Sequence, residues 1–100
     1  MLAYSVIATF PDQSLAAEYV AWLKGGHVQQ VVAGGAVSAE VIHLEEPPTP
    51  IQIESRYIFA GRAEFDRYLR DHAPRLRTEG LARFGAGRGV TFQRRVGRIV

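Results

Sequence analysis

Residues Glu18 to Ala36, EYVAWLKGGHVQQVVAGGA, decide how the chain folds. Apolar side chains recur at Tyr19, Val20, Trp22, Leu23, Val28, Val31 and Val32, a spacing that gives a helix one apolar face. Gly25-Gly26 breaks the pattern and Gly34-Gly35 ends it. The stretch therefore reads as a helix to about Lys24, a flexible joint, and a short second helix from His27 to Ala33. The only Trp stands five residues before a His across that joint, which marks the stretch as the edge of a pocket.

Working outward, strands flank it. Leu2 to Phe10 alternates a bulky set (Leu2, Tyr4, Val6, Ala8, Phe10) with a lighter one (Ala3, Ser5, Ile7, Thr9), the period-two pattern of a strand. Pro11 ends this strand, and Asp12 is placed to cap the helix. Ala36 to Glu45 is a second strand, with Val37, Ala39, Val41 and His43 on one face and Ser38, Glu40, Ile42 and Leu44 on the other. The prolines of Glu46 to Pro50 remove backbone donors and leave only a hairpin loop. Ile51 to Ala60 is the clearest strand, with Ile51, Ile53, Ser55, Tyr57 and Phe59 facing one way and Gln52, Glu54, Arg56 and Ile58 the other. Gly61 opens a helix that Pro74 breaks and restarts. Gly85 to Gly89 (GAGRG) follows a helix and enters a strand, the reverse of a dinucleotide fingerprint, so it reads as a turn. The last strand runs from Val90 to Val100.

The order is βαββαβ. Right-handed crossovers turn that order into an α+β, ferredoxin-like fold, a four-stranded antiparallel sheet with its helices on one face. The other sheet face reads as too apolar to stay wet, and pairing two sheets in a homodimer would cover it.

Composition narrows the function classes. At 100 residues the chain reads as one domain, 1–100. No apolar run approaches a membrane span, and the N-terminus does not look like a signal peptide. With no cysteine there is neither a disulfide framework nor thiolate chemistry, and a cytoplasmic location is expected. Residues 1–50 hold one base and five acids, net −4, whereas residues 51–100 hold eleven Arg and five acids, net +6. We attribute the basic half to solvated or dimer-facing surface, with Asp66/Arg70, Asp71/Arg75 and Glu79/Arg83 spaced as helix ion pairs. RNA binding is disfavoured. Tyr4, Tyr57 and Phe59 could form a stacking platform, but IESRYIFA lacks the glycine-containing signature of RNA-recognition modules.

The spaced residues Trp22-Leu23-Lys24, His27-Val28, Val31 to Gly35, Tyr68-Leu69, His72-Ala-Pro-Arg-Leu-Arg77, Leu81, Arg83-Phe84 and Phe92 to Val96 carry a resemblance that runs nearly end to end. The chain resembles a bacterial family of small uncharacterised proteins grouped as a domain of unknown function. The resemblance implies a dimeric α/β barrel of the ferredoxin-like type, and no established activity. Gly25-Gly26 and Gly35 depart from the family pattern and loosen the joint before His27.

Candidate site residues follow from chemistry. His27 and His72 are candidate bases, because His titrates near neutral pH. Their structural alternatives are a helix cap or carbonyl contact for His27, and a helix C-terminal contact for His72. Trp22 and Tyr57 are candidate pocket walls, and Arg56, Arg75 or Arg94 could hold an anionic group of a small-molecule ligand. Three His without Cys or HxxxH spacing argue against a zinc site, and no cofactor is expected. Two functions remain open. One is a homodimeric binding or interaction module without catalysis. The other is a cofactor-independent enzyme of the dimeric α/β-barrel type acting on a small organic substrate.

Overall fold

A computed structural model describes residues 1–100. Strand β1 (Leu2–Phe10) ends at Pro11, and the Asp12 carboxylate accepts the Leu15 N–H at 2.8 Å to cap helix α1 (Gln13–Trp22). Helix α1 does not run straight into α2 (Val28–Ala33). A wide turn over Leu23–His27 separates them, with the Val28 N–H bonded five residues back to the Leu23 carbonyl. Gly26 makes this turn with φ 150° and ψ −27°, a conformation that L-residues with side chains rarely adopt. The expected joint is thus a defined kink.

Strands β2 (Ser38–Leu44) and β3 (Ile51–Phe59) flank the proline loop, and β3 leads into helices α3 (Arg62–Asp71) and α4 (Ala73–Arg83). The break falls at His72, with proline in the first turn of α4, where its missing N–H costs nothing. A short 3-10 turn at Ala86–Arg88, inside GAGRG, delivers the chain to β4 (Thr91–Arg98).

The sheet order is β2-β3-β1-β4 and every neighbouring pair is antiparallel. Both helical crossovers lie on one face, so the architecture is the expected ferredoxin-like α+β fold. The alternation read from the sequence also holds. Leu2, Tyr4, Ala8 and Phe10 of β1 and Ile53, Ser55, Tyr57 and Phe59 of β3 are buried beneath the helices. Tyr4, Tyr57 and Phe59 are therefore core side chains and are not exposed for stacking on bases.

Two expectations need correction. The open face is mixed, not apolar: Ile7, Ile42, Leu44 and Ile58 alternate with polar groups. Gln52 donates to the Thr9 hydroxyl at 3.0 Å, and Arg56 meets Glu54 at 3.2 Å. The helix ion pairs also differ. Asp66 pairs with Arg62, Asp71 with Arg70, and Glu79 with Arg75. Acids at these spacings have a base on either side, and the break at His72 separates Asp71 from Arg75. All three pairs are exposed and screened by solvent, so they add little to stability.

Candidate functional site

Strand register lays the helix-facing side chains in rows. One row is Ile53, Ala8 and Phe92; the next is Ser55, Val6 and Arg94; the third is Tyr57, Tyr4 and Val96. The middle row carries short side chains at its centre, Ser55 and Val6; Tyr4 and Tyr57 stand on one side of it, and Phe92 with the α1 rings of Tyr19 and Trp22 on the other. A hollow remains above it. The core is accordingly split into two clusters, one around Tyr4, Tyr57, Phe59, Phe65 and Tyr68, the other around Phe10, Tyr19, Leu23 and Phe84.

The hollow is a cavity of about 40 Å³ at the seam between these clusters. It has room for a few waters or one small polar group, well short of the roughly 300 Å³ and more of a drug-sized site. Tyr4, Tyr57 and Tyr68 form one wall, and Tyr19, Trp22 and Phe92 the other. His27 enters from the helix layer, and Arg77, Leu81 and Arg94 line it near the surface. The helices leave most of β4 uncovered, so Arg94 is exposed, as are Arg77 and Leu81 on α4. The cavity therefore opens between α4 and β4.

The kink at Gly26 sets the position of His27. A regular helix would send residues five apart to different sides. The wide turn instead stacks the His27 ring on Trp22, centroids 4.2 Å apart and planes at 24°. Its Nδ1 is buried without a hydrogen-bond partner in the protein, and the Tyr57 hydroxyl makes no close hydrogen bond either, the Ser55 side chain being near enough only to act on its acidity. Neither the helix-cap nor the carbonyl role expected of His27 is realised. Most buried polar atoms find a close partner, so two that do not, on residues lining one small cavity, are unusual.

Burial also governs the protonation states. It lowers the His27 pKa to about 4, opposed by the nearby Glu79 charge. It raises the Tyr19 pKa to about 12, and it pushes Tyr57 and Tyr68 up as well. At neutral pH the cavity thus offers a neutral imidazole and protonated phenols. Lowering the pH from 6.5 to 4 adds a proton to unfolded His27 that the folded ring resists. Stability is therefore full above pH 6.5 and falls as the pH drops towards 4, by on the order of 2 kcal/mol after discounting for partial solvent access and for the favourable indole face. Urea denaturation across this range should show the loss, and His27→Gln should remove that part of the slope. An unchanged slope would mean that His27 titrates normally.

Of the residues singled out from sequence, the cavity brings together His27, Trp22, Tyr57 and Arg94. Three others lie elsewhere. Arg56 neighbours Tyr57 on β3 and so points to the opposite sheet face, where it pairs with Glu54. Arg75 sits on the outer surface of α4, bonded to Gln30 at 2.9 Å and Glu79 at 3.4 Å. His72 packs over Gly34, where a Cβ would come within 3.0 Å of its ring, and stacks near Tyr68 at 6.3 Å. The sequence reading missed Tyr4, Tyr19, Tyr68, Ser55 and Arg77 as cavity residues. The three tyrosines shared a signal, their core-facing positions, where phenylalanine would avoid burying a hydroxyl; Ser55 and Arg77 carried none. No group of three or more His, Cys, Asp or Glu side chains converges as a metal site. No helix is long and apolar enough to cross a membrane.

The fold has solved counterparts at low sequence identity. A dimeric ferredoxin-like protein from an uncultured marine organism is similar at TM-score 0.71 and 13% identity, covering 99% of this chain and 94% of that one. An ethyl tert-butyl ether (EthD) family protein from Bacillus halodurans is similar at TM-score 0.73 and 10% identity, with 100% of both chains covered. A candidate antibiotic biosynthesis monooxygenase from Deinococcus radiodurans is similar at TM-score 0.63 and 13% identity, covering 100% and 93%. These likenesses establish the fold and nothing further. No curated protein matches the chain by sequence. The match that reaches to the sequence itself spans residues 1–99, and by it the chain belongs to the family described as Domain of unknown function (DUF4286).

Proposed function

We propose that the protein is a homodimeric, single-domain module that binds a small organic molecule at the cavity between helices and sheet, one polar group of it entering the cavity. One observation carries this: His27 and Tyr57, whose buried Nδ1 and hydroxyl make no close hydrogen bond in the protein, line the same cavity. A purely structural core would gain by replacing either with an apolar group of the same shape. Retaining both makes sense where a ligand supplies the missing bonds.

Dimerisation is supported by the dimeric ferredoxin-like neighbour and by the charge on the open sheet face. Glu40 lies on edge strand β2 and Arg95 on the opposite edge strand, β4. A two-fold axis along the strands would set each Glu40 over the partner's Arg95, a self-complementary arrangement. Light scattering at micromolar concentration should give twice the chain mass. The absence of cysteine suits a cytoplasmic setting.

A cofactor-independent enzyme is the second reading. Its one candidate base in the cavity lining is His27, and burial makes that neutral imidazole a weak base at physiological pH, so binding is the reading the site supports better.

Tyr57→Phe tests the ligand site. Because the hydroxyl makes no close hydrogen bond in the protein, its loss should leave stability unchanged or raise it by up to about 1 kcal/mol. In a thermal-shift screen of metabolites, compounds that stabilise the wild type should lose their effect in Tyr57→Phe and in His27→Ala. A Tyr57→Phe variant that is clearly less stable, with unchanged ligand responses, would return Tyr57 to an ordinary core role.

A further inference from the structure

We propose that the cavity receives the carboxylate of a small organic acid with a flat, apolar body, the charge being met by Arg94 and Arg77 and an inner oxygen by the Tyr57 hydroxyl. This rests on the cavity being a ligand site, and it adds the chemical class of the ligand.

The lining contains two guanidinium groups and no acid. Arg56, Arg62, Arg70, Arg75 and Arg88 each pair with a carboxylate in this chain, whereas Arg77 and Arg94 do not. Arg77 donates to the Tyr4 hydroxyl at 3.3 Å, which holds it against the sheet and leaves its other N–H groups for a ligand. Arg94 lies with its guanidinium carbon 5.8 Å from the Phe92 ring centroid. The positive field reaches inward: Arg94 acts on the phenols of Tyr19 and Tyr68, and Arg77 on that of Tyr68.

The buried end selects an acceptor. Tyr57 is 1% exposed, and burial keeps its hydroxyl protonated, so it can donate to an anionic oxygen and offers little to a cation. Guanidinium forks match the planar geometry of a carboxylate. About 40 Å³ admits a head group and not a ring, so the body must rest at the mouth against Leu81, which is 54% exposed. The mainly aromatic walls disfavour phosphate, whose second charge and extra oxygens would lose hydration without enough donors to replace it.

Calorimetric titration with benzoate, benzamide and inorganic phosphate provides the test. Benzoate should bind at least tenfold more tightly than benzamide or phosphate, and more weakly as salt is raised. Arg94→Gln and Arg77→Gln, both at exposed positions, should keep the wild-type circular dichroism. Each should weaken benzoate about tenfold while leaving benzamide unchanged. Equal binding of benzoate and benzamide, insensitive to Arg94→Gln, would overturn the carboxylate assignment and leave the ligand cavity standing. Tighter binding of phosphate than of benzoate would replace it with a phosphate site. Failure of all three probes to bind would overturn it too, and a metabolite screen with no response dependent on Tyr57 or His27 would remove the cavity reading as well.

Discussion

Phe59→Ala should destabilise the fold by about 3–5 kcal/mol, the largest effect expected of any single truncation here. Phe59 is completely buried on the central strand β3, with ring centroids of Phe65 and Tyr68 5.2 and 5.3 Å away. Its loss leaves a void that β1, β3 and α3 cannot all close, because their backbones are fixed by the sheet ladder and the helix. The melting temperature should drop by more than about 10 °C, and urea denaturation should show an earlier midpoint at similar slope. Phe59→Leu, which restores most of the volume, should cost less than half as much. A loss below 1 kcal/mol for the alanine variant would mean that this cluster is not packed as described. The effect bears on the cavity as well, because Tyr68 touches Phe59 on one side and lines the cavity on the other.

Gly26→Ala should cost about 1–3 kcal/mol, since a Cβ is strained at φ 150° even though no neighbouring atom blocks it. The neighbouring Gly25 is the control. It has equal space and no positive φ, so Gly25→Ala should be neutral or mildly stabilising. The two variants should also differ in function. Relief of the strain at Gly26 would draw the wide turn towards a regular helix and rotate His27 off Trp22. Trp22 is the only tryptophan, so its fluorescence reports on this stack directly. In the wild type, the emission should change with a midpoint near pH 4 as His27 takes up its proton. Gly26→Ala should shift that midpoint towards 6.5 or abolish it, together with any ligand response that depends on His27. Equal behaviour of the two alanine variants would show that the kink does not position the imidazole.

The outline of the fold was legible because its determinants are local. Pro11 and Asp12 stop a strand and start a helix wherever they occur, and Ile51 to Phe59 alternates too regularly to be anything but a strand. The joint at Gly25-Gly26 was visible, though its form was not: two glycines announce freedom, and only packing selects which unusual conformation is used. Arg56 shows how far a local rule reaches. Its even position already put it on the face opposite Tyr57, so the alternation itself excludes it from a site that Tyr57 shares. The open sheet face was judged by its isoleucines and leucine, and the intervening Gln52, Glu54 and Arg56 outweigh them once all four strands lie side by side.

What the sequence determined by itself was the element order, the buried face of each strand and the stretch that carries the kink, because each depends on residues within a turn or two. The cavity depended on tertiary structure. Its floor exists because register sets Ser55 beside Val6, and its walls are tyrosines from β1, α1, β3 and α3. Those distances along the chain are closed only by strand pairing and helix packing. Trp22 and His27 were the visible edge of the site, while the buried Tyr57 hydroxyl and the two arginines at its mouth acquired meaning only when folding brought them together.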